Sequence, residues 1–61
     1  MTAEEVKALR EQLGWTQERM ARELGVSFAT VNRWEKGHRS PSHLAEKTLQ
    51  RLARRTKGIA Q

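Results

Sequence analysis

Apolar residues return along this chain in short bursts at helical spacing, and most bursts are bracketed by a polar cap and a glycine. Val6, Leu9 and Leu13 recur at i, i+3 and i+7, a narrow stripe on one side of a helix. Thr2 followed by Glu5 matches a capping box, in which each side chain satisfies a backbone N–H at the helix start. Gly14 sits where a left-handed closing residue is wanted, so the first helix is expected from about Ala3 to Leu13. Thr16 is a natural N-cap for a second helix, and Glu18 brings negative charge to its first turn. Trp15 and Met20 occupy the two ends of a hydrophobic staple across that cap. Met20, Ala21 and Leu24 form the inward face, and Gly25 ends the helix and turns the chain.

Ser27 caps a third helix, with Val26 and Val31 forming another staple. At about 100° per residue, Ser27, Val31 and Trp34 gather on one side. Ala29, Asn32 and Arg33 gather opposite, with Phe28 and Glu35 at one edge and Thr30 at the other; Gly37 closes the helix. Two short helices, a glycine turn and apolar positions spaced for angled packing are the layout of a helix-turn-helix, whose second helix is presented to a DNA major groove. His38-Arg39-Ser40 then forms a basic loop. Ser40 before Pro41 predicts a cap followed by proline at the first position of a fourth helix. Leu44, Ala45, Leu49 and Leu52 supply its apolar stripe, and it is expected to fade near Arg54 or Arg55. Arg51, Arg54, Arg55 and Lys57 crowd its end, where cations suit the helix dipole. The pattern predicts one all-α domain over 1–56 and a flexible tail over 57–61, with no alternation that would argue for strands.

Composition sharpens the choice of partner. Sixty-one residues allow a single domain with a small core. The absence of cysteine excludes disulfides and thiolate metal sites and fits a reducing, cytoplasmic setting. No apolar run approaches the roughly 18 residues of a membrane span, and the apolar centre of a signal peptide is missing. Twelve Lys and Arg against seven Asp and Glu leave a net charge of +5, which favours a polyanionic partner. His38, His43 and Glu35 match no metal-ligand spacing, and there is no nucleophile–base pair or phosphate-cradling glycine loop. No enzyme activity, metal or cofactor is expected.

The stretch LGWTQERMARELGVSFATVNRWEKGHRSPS resembles the Cro/repressor-type (xenobiotic-response-element-like) helix-turn-helix regulators of bacteria and phages. Thr16-Gln17, Ala21, Gly25, Val31, Trp34-Glu35-x-Gly37 and the later Ser40-Pro41 carry the likeness, which covers roughly Val6 to Leu52. It implies a compact lambda-repressor-like fold of four helices, or five with the last one truncated, around a central helix-turn-helix. By that resemblance Gln17 contacts a phosphate and buttresses the third helix, and Ser27, Phe28, Ala29, Asn32 and Arg33 face the groove. Arg10 and Glu35 are implied to form a structural ion pair.

Arg33 is the first candidate for base reading, since a guanidinium bonds two acceptors of guanine; the plainer alternative is a solvated arginine or a phosphate contact. Asn32 suits adenine or a phosphate equally. Phe28 suits a thymine methyl or the core edge. Backbone anchoring is expected from Thr16, Gln17, Lys36, His38, Arg39 and Ser40, helped by helix N-termini. The expected function is sequence-specific binding of double-stranded DNA as a transcriptional regulator or its DNA-binding module, with a homodimer on a palindromic site or a larger parent protein as possible contexts. The rival is a protein-interaction adaptor on the same scaffold, in which Phe28 or the fourth helix meets another protein. A membrane-surface role would take leucines the core needs and is set aside.

Overall fold

The computed structural model describes residues 1–60, with side chains through Thr56. Four helices follow one another: α1 Ala3–Leu13, α2 Gln17–Leu24, α3 Phe28–Lys36 and α4 His43–Ala60. No strand occurs among the described residues. Local chemistry explains the first three boundaries. The Thr2 hydroxyl accepts from the Glu5 N–H at 3.1 Å, while the Glu5 carboxylate accepts from the Thr2 N–H at 2.7 Å. The Thr16 hydroxyl accepts from the Arg19 N–H, and Ser27 accepts from Thr30. Each of these helices closes on a left-handed glycine. At Gly25 the requirement is plain: φ is +70°, a region that costs an ordinary L-residue about 1–2 kcal/mol.

Val6, Leu9, Met20, Ala21, Val31, Trp34 and Leu49 make the buried core, one or two side chains from every helix. α3 packs against both α2 and α1, and α4 lies against α1. Ala21 is small enough to let α3 approach, and Val31 and Trp34 project from α3 into the centre. One side of α3 is thereby committed to the interior.

The fourth helix departs from the sequence reading in three ways. It starts at His43, two residues beyond Pro41, and Ser42 supplies the cap by accepting from the Ala45 N–H at 3.2 Å. Serines flank Pro41 on both sides, and the nearer one does not win. Leaving Pro41 and Ser42 unwound lengthens the crossing from α3 by about 4 Å, because extended residues advance ~3.4 Å each and helical ones 1.5 Å. Leu44 is 76% exposed and leaves the apolar stripe, which runs instead through Ala45, Leu49, Leu52 and Ala53. Those positions repeat at i, i+4, i+7 and i+8, and Leu44 lies about 100° off the first of them. The helix also continues past Arg55 to Ala60, with the Thr56 hydroxyl donating to the Leu52 carbonyl at 2.9 Å. The expected flexibility of 57–61 concerns side chains, and at Gln61 a whole residue, outside the described residues.

Candidate nucleic-acid interface

α3 is held on a second side by charge. Arg10 of α1 grips Glu35 with two hydrogen bonds, Nε to Oε2 at 2.7 Å and Nη2 to Oε1 at 3.1 Å. Its Nη1 donates to the Trp15 carbonyl at 2.9 Å, and Gln17 Nε2 donates to Glu35 Oε1 at 3.1 Å. The Glu35 side chain is only 5% exposed and that of Arg10 15%. Burial pushes the Glu35 carboxyl up, but the hydrogen bonds from Arg10 and Gln17 outweigh it and leave the group below its ordinary range. The same contact raises the Arg10 guanidinium above its ordinary value. One carboxylate thus ties the ends of α1 and α2 to the last turn of α3. It fixes both the tilt and the rotation of that helix.

With Val31 and Trp34 buried and Glu35 bound, the rest of α3 faces outward. On a helical wheel Phe28, Asn32, Lys36, Ala29 and Arg33 follow one another across a sector of about 140°. Phe28 is 50% exposed, Ala29, Arg33 and Lys36 are exposed, and Asn32 is half-buried. Ser27, just before the helix, is exposed; its hydroxyl caps α3 and lies 2.8 Å from the Thr30 hydroxyl. Of the residues expected to anchor a backbone, Thr16 and Gln17 open α2, with Thr16 exposed and Gln17 half-buried against Glu35. Lys36, His38, Arg39 and Ser40 are exposed at the end of α3 and in the segment after it. Arg33, Lys36 and Arg39 have no ion-pair partner among the described residues.

Three participants escaped the sequence reading. The Trp15 carbonyl completes the Arg10 fork, and Thr30 and Ser42 join Arg33, Arg39 and Ser40 around a cleft beside α3. The spacing of Thr30 three residues after the Ser27 cap was a visible signal; the others depend on the path of a loop. Among the described residues no group of three His, Cys, Asp or Glu side chains is arranged to hold a metal ion. No described helix is long and apolar enough to cross a membrane.

The helix-turn-helix family model matches residues 6–58. Searches of curated proteins and of solved structures returned no match. With four helices, a glycine-turned α2–α3 pair and a family match spanning most of the chain, this protein belongs to the Cro/repressor-type helix-turn-helix family, a family of DNA-binding domains.

Proposed function

We propose that the domain binds double-stranded DNA with sequence preference, as a transcriptional regulator or the DNA-binding module of one, in the cytoplasm of a bacterium or a phage-infected cell. The observation that carries this reading is the division of α3: two sides are held by Val31, Trp34 and Glu35, and one sector is left bare. A helix fixed in tilt and rotation, with a bare face flanked by unpaired cations, fits a major groove. Asn32 suits the N6/N7 edge of adenine, the Phe28 ring suits a thymine methyl, and Ala29 allows close approach. Ser27 lies at the leading edge of this face, and Arg33 stands between the base-facing residues and the backbone-facing ones. Thr16, Gln17, Lys36, His38, Arg39 and Ser40 serve as anchors that set orientation without carrying sequence information. Two copies on a palindrome, with half-sites one helical turn apart, complete the reading. No catalytic step belongs to it.

The test is selection of bound duplexes from a random pool, followed by titration of the selected duplex against a scrambled one. Neutralising about five phosphates gives a slope of log affinity against log salt near −4.5. A flat pool, or no binding at tens of micromolar protein in low salt, refutes the proposal. That outcome would favour the adaptor, for which exposed Phe28 and Leu44 are the available apolar contacts.

A further inference from the structure

Beside α3, the segment leading into α4 folds back and leaves a cleft of about 390 Å3. Val26 and Trp34 contribute its apolar surface, Arg33 and Arg39 its charge, and Thr30, Ser40 and Ser42 their hydroxyls. We infer that this cleft is a site for one phosphoryl group, clamped by Arg33 and Arg39, and that Arg33 is therefore a phosphate anchor and not a reader of base edges. The second half of the inference rests on the DNA-binding reading; the first half does not.

Two features make the cleft selective for an anion. Its lining residues include two arginines and no Asp or Glu, and neither arginine has an ion-pair partner among the described residues. Two such cations brought to one cleft repel each other until a negative charge joins them, and planar guanidinia match phosphate oxygens two at a time. The pairing of the arginines is also built in. The Gly37 N–H donates to the Arg33 and Trp34 carbonyls, and the His38 N–H donates to Arg33 O at 3.0 Å. Gly37 has φ +77°, so the chain reverses there and is locked in the direction that brings Arg39 and Ser40 back beside Arg33.

Two of the three hydroxyls have a proton free to donate when the Ser27 hydroxyl donates to Thr30. Ser27 Oγ already accepts from the Thr30 N–H, so its own proton can go to Thr30 Oγ1, 2.8 Å away, which frees the Thr30 proton. Ser42 Oγ likewise accepts from the Ala45 N–H and keeps a proton to give. Arginines and hydroxyls around apolar Val26 and Trp34 suit a phosphoryl group joined to a sugar. The wheel agrees with this division. Arg33 lies about 60° from Thr30 on the wheel, whereas Asn32 and Phe28 lie about 100° and 140° from Arg33, toward Glu35.

The same chemistry is offered by a phosphodiester of bound duplex and by a free phosphate ester, and the experiment separates them. Affinities of wild type, Arg33→Ala, Arg39→Ala and Asn32→Ala for selected and scrambled duplexes are measured at several salt concentrations, with circular dichroism confirming that each variant is folded. Arg33→Ala and Arg39→Ala should each weaken both duplexes by the same factor, about tenfold, and make the salt slope shallower by about 0.9. Asn32→Ala should instead reduce the ratio between the duplexes. A single methylphosphonate at the contacted phosphate should make wild type behave like Arg33→Ala. In parallel, 15N spectra are followed during titration with inorganic phosphate and with a nucleoside monophosphate against matched chloride. Saturable shifts at Thr30, Arg33 and Arg39–Ser42, absent in the double arginine variant, support the site even if no duplex binds. Such shifts alongside duplex affinities that ignore Arg33→Ala would assign it to a free phosphate ester and overturn the anchoring role. Loss of base preference in Arg33→Ala with an unchanged salt slope, or no saturable shift and no duplex effect, overturns the inference.

Discussion

Replacing Arg10 by methionine should damage the fold more than any other single change to a partly exposed side chain, and the damage should shrink in acid. Methionine keeps the aliphatic stem of Arg10 against the core but removes three hydrogen bonds, two to Glu35 and one to the Trp15 carbonyl. The Glu35 side chain, 5% exposed, is left with Gln17 as its hydrogen-bond partner among the described residues. Breaking a buried pair by removing one member costs about 3–5 kcal/mol, and the retained Gln17 contact argues for the lower end, ~3 kcal/mol. A 61-residue domain has roughly 3–9 kcal/mol to lose in all, so the variant should melt about 12–24 °C lower and lose a third or more of its stability. Removing both charges is another matter. Arg10→Met with Glu35→Met leaves no stranded ion and should return to within about 1 kcal/mol of wild type, a coupling of ~2 kcal/mol or more.

The pH dependence follows from sign. In the native protein Glu35 lies below its ordinary value, so its contribution is complete above the unfolded value of about 4.3 and disappears as pH falls through the folded one. Without Arg10, burial dominates and raises the carboxyl above that value. The variant then gains stability relative to wild type as pH falls through the raised value. Urea denaturation followed by circular dichroism at pH 7 and near pH 4 measures both gaps. A cost below about 1 kcal/mol, or a gap that does not change with pH, would refute the view that Glu35 fixes α3 as a buried charge.

Leu49→Ala should cost about 2–5 kcal/mol in thermal unfolding, because this fully buried side chain is the deepest contact α4 makes with the core. Gly25→Ala should cost about 1–2 kcal/mol from backbone strain alone, since an added Cβ meets nothing within 4 Å, and Gly25→Asn should cost less. Phe28→Ala should leave the melting temperature within about 3 °C of wild type while altering the sequences recovered in duplex selection; a large fall in stability would return Phe28 to the core.

Much of this fold is written in short-range chemistry. Thr2, Thr16 and Ser27 cap the helices they precede, and Val31 with Trp34 marks the inward stripe of α3, because both signals act within one or two turns. The start of α4 is different: Ser40 before Pro41 is the better cap in isolation, yet the helix begins at His43 and Ser42 supplies the cap. Leu44 faces outward because α4 packs through Ala45, Leu49, Leu52 and Ala53, and Leu44 lies about 100° off that stripe. Arg10, Gln17 and Glu35 are separated by up to 25 positions, and nothing local in the sequence pairs them. Family resemblance suggested the Arg10–Glu35 pair, whereas the cleft shared by Thr30, Arg33 and Ser42 needs the loop path itself.

The length of α3 places an upper limit on what one copy can recognise. Nine residues make a helix about 13.5 Å long, and a base pair rises ~3.4 Å, so the bare face spans about four base pairs. A four-base word recurs about once in 256 positions, thousands of times among the ~10⁶ or more competing sites of a genome. If Arg33 holds a phosphate, only Ser27, Phe28, Ala29 and Asn32 are left to read bases, and the word is shorter still. Sequence-specific occupancy by this domain therefore requires a second reading face, and a second copy is the simplest source of one. Two half-sites centred about 34 Å apart should bind two domains with joint affinity above the product of two single sites, and inserting five base pairs should abolish the gain by turning one site to the opposite side of the duplex. Sedimentation of the domain on both duplexes measures it; one domain per duplex, indifferent to the insertion, would refute a second copy as the source of the second face.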